Sequence, residues 1–123
     1  MTLAQNAVPN ESDVASALGM IERRRGRWEE SVLHLERARQ LDPRNISALW
    51  NLSETLTYLR RYAEADGVLA EAAAIAPEAY MIPIARAELS LRDRGDTAPL
   101  PQALQSVPEE FDPGGAVTTI AVR

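Results

Sequence analysis

The stretch "GRWEESVLHLERARQLDP" at residues 26–43 returns, much altered, as "RRYAEADGVLAEAAAIAP" at residues 60–77. The offset is 34 residues throughout: Leu18 pairs with Leu52, Gly19 with Ser53, Trp28 with Tyr62, Leu35 with Leu69, Ala38 with Ala72 and Pro43 with Pro77. A fixed period of this length marks stacked supersecondary units, each too apolar on one side to stand alone. In 123 residues there is room for about three such units and part of a fourth.

Within each unit the spacing is helical. Ala15, Leu18, Ile21 and Glu22 fall near one face, as do Leu49, Leu52, Leu56 and Leu59 one period on. Val32, Leu35, Ala38 and Leu41, then Leu69, Ala72, Ala73 and Ile75, give the second helix of each pair its own stripe. Ser12 and Asn45 are placed to cap helices, because each side chain can accept from an unpaired backbone N–H. Pro43 and Pro77 follow helices that have just ended and could not continue them. Gly26 fills the first short turn, and Arg60–Arg61 fills its counterpart. These signals predict helices over about 12–25, 28–41, 46–59, 62–75 and 80–94. Small residues at Ala38 and Ala72 predict close helix approach, so neither site should accept a large side chain.

The series Ala15, Leu18–Gly19, Glu22, Ser31, Leu35, Pro43, and its second copy Leu49, Leu52–Ser53, Leu56, Ala65, Leu69, Pro77, resembles the tetratricopeptide repeat in relaxed form. Glu22 stands where that pattern has an aromatic residue. The resemblance implies an all-α fold, an α-α superhelix of stacked antiparallel helix pairs with about three repeats plus a truncated fourth. On this reading residues 1–11 are an N-terminal tail, 12–45 the first repeat and 46–79 the second. Residues 80–112 form a divergent third repeat, visible only with a one-residue slip through Ile84, Ala87, Leu91, Gly95, Leu100, Leu104 and Val107. Pro99 and Pro101 fit only a first turn, so its second helix should be short, about 98–107. Residues 113–123 begin a fourth repeat or a frayed segment, and Val117, Ile120 and Val122 would there lack a covering helix.

Little in the chain suggests chemistry. There is no cysteine, and His34 is the only histidine, which removes thiolate ligands and a metal-binding histidine pair; a hydrolytic triad would need that same residue, and no G-x-S-x-G turn accompanies it. Glu29–Glu30 and Glu109–Glu110 are adjacent residues, whose side chains point apart on a helix. No glycine-rich phosphate loop is present. An enzyme is therefore not expected, nor any cofactor or metal. The net charge is −5, and residues 46–112 hold eleven acidic against five basic groups, which disfavours a nucleic-acid partner. No apolar run approaches the roughly 20 residues that span a bilayer. The opening "MTLAQNAVPNES" lacks the basic start and apolar stretch of a secretory signal, so the chain is expected in the cytoplasm.

In arrays of the family it resembles, the first helix of each pair lines a concave surface. Carried over by position, that surface holds Asp13, Ser16, Met20, Arg23 and Arg24; Ser47, Trp50, Glu54, Thr57 and Tyr58; and Ile82, Ala85, Leu89, Arg92 and Asp93. Some members grip a peptide carboxylate with five Lys, Asn and Arg side chains. The equivalent positions here are Ser16, Met20, Asn51, Ile82 and Arg86, of which only Asn51 and Arg86 qualify, so that clamp is not expected. The resemblance thus implies a protein or peptide partner met by Met20, Arg23, Arg24, Trp50, Asn51, Glu54, Tyr58, Arg86 and Arg92. Trp50 can equally be core between first helices. The run Arg23–Arg25 reads first as a solvated helix end that complements the helix dipole, as the recurrence at Arg60–Arg61 and at Arg92 and Arg94 supports, and second as a basic rim of the groove. Two other expectations are a homodimer through an uncapped C-terminal end, and a regulatory appendage of a multidomain signalling enzyme.

Overall fold

A computed structural model of the chain describes residues 10–105. It contains α1 (Glu11–Arg24), α2 (Trp28–Leu41), α3 (Ile46–Tyr58), α4 (Tyr62–Ile75), α5 (Met81–Arg94) and α6 (Pro99–Leu104), with no strand among the described residues. The chain divides into two compact units, Met1–Ala72 and Ala73–Arg123. Residues 1–9 of the expected tail 1–11, residues 106–112 of the expected third repeat, the fourth-repeat segment 113–123 and the C-terminal dimer end lie outside the described residues, while Asn10 and Glu11 belong to the start of α1 and not to a tail.

In the first unit, α1 begins one residue earlier than its sequence suggests, because Asn10 rather than Ser12 is the cap. Asn10 Oδ1 accepts from the Asp13 backbone N–H at 2.7 Å, satisfying an otherwise orphaned donor. Ser12 is left inside the first turn, 3% exposed, and does different work. Its Oγ donates to the Ala38 carbonyl of α2 at 2.9 Å and accepts from Asn45 Nδ2 at 2.9 Å. Asn45 meanwhile caps α3, its Oδ1 accepting from the Ala48 N–H at 3.1 Å. One serine thereby joins the starts of α1 and α3 to the end of α2.

α1 and α3 end in the same way. The Gly26 N–H donates to the Arg23 carbonyl and the Arg27 N–H to the Glu22 carbonyl; 34 residues on, Arg60 donates to Thr57 and Arg61 to Leu56. This paired pattern needs a left-handed residue just past the helix. Gly26 supplies it at φ 76°, but in the second copy Arg60 must adopt φ 62°. A side chain in that conformation costs roughly 1 kcal/mol, so the turn is held by its hydrogen bonds against local preference.

The core of this unit is a row of small and branched side chains. Ala15, Ala38 and Ala48 cluster together, and Leu35, Leu49 and Leu52 are 0% exposed. Burying each leucine contributes about 1.5–3 kcal/mol. Ala38 and Ala72 are both at 0% exposure. Leu18 and Ile21, expected on the buried face of α1, are instead 43% and 42% exposed; Ser12, Ala15, Ser16 and Gly19 hold the buried side. The small residues win because α1 and α2 approach closely. A Cβ added at Gly19 would stand 2.7 Å from Leu35 Cγ and 3.2 Å from the Ser31 carbonyl oxygen.

That geometry gives a matched pair of expectations. Gly67, within α4, has nothing within 4 Å of an added Cβ, so Gly67→Ala should stabilise the chain by ~0.5–1 kcal/mol through lower unfolded-state entropy. The same change at Gly19 should destabilise by about 1 kcal/mol, since overpacking outweighs the propensity gain. Urea unfolding of both variants checks the pair, and equal signs would contradict the packing of α1 on α2.

In the second unit, α5 and α6 pack on each other. α5 closes on Gly95 at φ 68°. α6 begins at Pro99, one residue later than its sequence suggests, where a missing N–H costs nothing, and runs to Leu104; the last two residues of the expected 98–107 lie outside the described residues. The buried residues of α5 are Ile82, Ala87, Leu89 and Ser90, while Ile84 is half-buried and Leu91 is 39% exposed. Apolar residues two apart at 82 and 84, and again at 89 and 91, leave two candidate stripes in the sequence; burial selects 82 and 89. These two side chains, carried over to the concave surface, are therefore closed off.

Candidate functional site

The residues singled out on α1 and α3 divide into those that hold the fold and those open to solvent. Arg23 belongs to the first kind. Its side chain is 18% exposed, and Nη1 donates to the Asn51 carbonyl at 3.4 Å and to Thr55 Oγ1 at 3.3 Å, with Glu54 Oε1 at 3.9 Å. Thr55 itself donates to the Asn51 carbonyl at 2.9 Å, and its hydroxyl oxygen lies 3.5 Å from Ser31 Oγ. With its one proton spent on Asn51, Thr55 accepts from Ser31 and Arg23 through its two lone pairs. The structure therefore brings Arg23, Asn51 and Glu54 together, and joins α1, α2 and α3 through a satisfied polar cluster. Among the described residues no buried side-chain nitrogen or oxygen lacks a partner.

Tyr58 and Arg24 are open to solvent. Tyr58 is 65% exposed at the end of α3, and its ring lies on Trp28, the first residue of α2, with centroids 3.6 Å apart and planes inclined by 6°. The two rings hold each other flat, so Tyr58 presents one face outward at little entropic cost. Trp50, Met20 and Asn51 are half-buried, Glu54 is half exposed, and Ser16 is buried at 9%. In the second unit, Arg86 and Arg92 are exposed on α5. The sequence reading missed the Trp28–Tyr58 stack. Its only trace there is that the two aromatics close one short turn and open another.

Ion pairs tie the second helices together. Arg39 of α2 reaches Glu36 at 3.0 Å and pairs with Glu71 of α4, partners that raise its pKa above the usual arginine value, the Glu36 hydrogen bond foremost. Arg61 pairs with Glu64 at 2.7 Å and Glu29 at 3.4 Å. The Arg61 hydrogen bond lowers the Glu64 pKa. A depressed carboxylate stabilises the fold above its unfolded pKa and loses that contribution as the pH falls through the folded value; for a group this exposed the effect is slight.

His34 is half-buried on α2. Among the described residues no group of three or more His, Asp or Glu is placed to hold a metal, and no helix is long and apolar enough to cross a membrane.

No protein-family model matches the chain. A Drosophila melanogaster protein, "BBSome complex member BBS4 homolog", is 37% identical over 54 residues, which is 44% of this chain and 11% of that protein, so the chain corresponds to a small part of its length. Several solved structures share the fold at low identity. The first TPR of Spaghetti (RPAP3), bound to the HSP90 peptide SRMEEVD, matches with a TM-score of 0.75 and 17% identity over 92% of this chain and 88% of that one. A tetratricopeptide repeat protein from Parabacteroides merdae matches with a TM-score of 0.78 and 19% identity, over 97% of this chain and 46% of that one. The Yersinia enterocolitica type III secretion chaperone SycD, in complex with a peptide of the translocator YopD, matches with a TM-score of 0.75 and 15% identity, over 94% and 89%. With helices recurring at a 34-residue offset and backbones superposing on these proteins, the chain has the tetratricopeptide-repeat fold, an all-α array of antiparallel helix pairs.

Proposed function

We propose that the chain is a protein–protein interaction module that takes a segment of a partner protein on the face carrying Met20, Arg24, Trp50 and Tyr58. The observation that carries this reading is Tyr58, 65% exposed yet held flat against Trp28. A large aromatic whose conformation is already fixed loses little entropy on binding and can bury a wide area, which is how anchor residues act at interfaces. Two of the similar structures hold peptides, from HSP90 and from YopD, and lend support by analogy of fold. Arg23, Asn51 and Glu54 serve this face by fixing α1 against α3, while Arg86 and Arg92 on α5 are offered separately as contacts for acidic groups.

A carboxylate clamp is not part of the proposal. Ser16 is buried where a lysine would be needed, and Ile82 is buried as well. The net charge of −5 supports a protein rather than a nucleic acid as partner. A binding role without catalysis, a cytoplasmic location and service within a larger protein complete the reading.

The test is retention of partners from a lysate and from a peptide library by the wild type and by a Trp50→Ala, Tyr58→Ala double variant. Loss of at least about tenfold in affinity is expected for a true partner, the effect of removing two aromatic anchors. Equal retention of every partner, with helicity unchanged, would discard the face.

A further inference from the structure

α1 carries an apolar stripe that its own unit leaves open. Val14, Leu18 and Ile21 are 45%, 43% and 42% exposed. Their spacing of four and three places them on one side of the helix, and Glu11 and Arg25 continue the same line at its two ends. The repeat shows what such a face does when it is covered. The residues 34 positions on, Ala48, Leu52 and Thr55 of α3, are all at 0% exposure. A face that packs fully in the second copy is thus half bare in the first, and here it is built of larger apolar side chains than Ala48 and Thr55.

We propose that this stripe is a homodimer interface in which α1 of one copy lies antiparallel against α1 of a second. The charges at its ends select the occupant. When two such helices cross antiparallel about Leu18, that leucine meets its own counterpart on the two-fold axis. Val14 and Ile21 of each copy close over it from either side, and Glu11 falls opposite Arg25 of the other copy. A parallel pairing would set Glu11 against Glu11 and Arg25 against Arg25. The line Glu11–Val14–Leu18–Ile21–Arg25 is therefore complementary to itself in one direction only, as an isologous contact requires. Ala17, exposed beside Leu18, leaves room for the helices to approach. Arg25 bonds Glu22 at 3.2 Å, yet its side chain is 61% exposed and keeps donors for a second carboxylate. Three apolar side chains from each copy place this contact below the size of permanent interfaces, so the dimer is reversible.

Sedimentation equilibrium of the full chain, up to about 1 mM, should show a monomer–dimer equilibrium. Leu18→Glu should weaken it at least tenfold by setting two carboxylates on the axis, with helicity and melting unchanged because the site is half exposed in the monomer. Glu11→Arg and Arg25→Glu should each weaken it by about fivefold, and the double swap should restore wild-type association. A second readout is available because the chain has no cysteine. Oxidised Leu18→Cys should cross-link into a dimer, while Leu33→Cys, equally accessible at 70% exposure on α2, should not. A wild type that stays monomeric, as it would if another segment covered the stripe, overturns the proposal. So does a dimer indifferent to Leu18→Glu, or single swaps whose combination fails to restore binding.

Discussion

Leu35→Ala is expected to lower the unfolding free energy by about 3–4 kcal/mol, and the melting temperature by roughly 10–20 °C. Leu35 is 0% exposed and lies where Gly19 of α1 comes nearest to α2. Removing its branched end leaves a cavity that the close-set backbones cannot collapse to fill. The variant also carries a sharper prediction. Because the nearest obstacle to a Cβ at Gly19 is Leu35 Cγ at 2.7 Å, while the Ser31 carbonyl oxygen at 3.2 Å stays in place, Gly19→Ala should cost markedly less in the Leu35→Ala background than in the wild type. A double-mutant cycle by urea unfolding measures this directly, and strict additivity would show that the two residues do not meet.

Ala72→Leu is expected to cost about 1–3 kcal/mol by overpacking. Ala72 is fully buried in α4, whereas Ala74, two residues along the same helix, is exposed. The identical substitution at Ala74 should stay within about 0.5 kcal/mol of wild type. Thermal unfolding of the two variants isolates the environment, since helix propensity changes equally in both. If Ala72→Leu melts with the wild type, the buried stripe of α4 has been assigned to the wrong side.

Much of this architecture is legible in the residues themselves. The 34-residue offset, the leucines at 49, 52 and 56 and the alanines at 38 and 72 locate helices and their buried sides, because periodicity is a property of one helix and survives without knowing its neighbours. What periodicity cannot say is which of two apolar sides meets a partner. Leu18 and Ile21 read as core, yet Gly19 and Ser16 occupy that place, since close backbone approach rewards the smallest side chains. The same ambiguity shifted the buried stripe of α5 by two residues. Capping was misassigned for a related reason: Asn10 and Ser12 are both competent caps, and the carbonyl of Ala38 that draws Ser12 away is 26 residues distant.

The candidate binding residues were less legible than the fold. Arginine on a first helix reads equally as a ligand contact or a tie, and only the positions of Asn51 and Thr55 make Arg23 the latter. Tyr58 gains its significance from Trp28, a residue of another element. Nothing in either local sequence announces the encounter.

The hydroxyls between the helices determine one further property of the chain, its resistance to slippage. Surfaces lined by Ala15, Ala38 and Ala48 are smooth, and apolar burial alone would change little if α2 slid one turn, about 5.4 Å, along its neighbours. Such a slide would part Ser12 from the Ala38 carbonyl and Ser31 from Thr55, stranding polar groups at roughly 1–3 kcal/mol apiece. Oily contact brings these helices together, and the oxygens decide where along one another they stop.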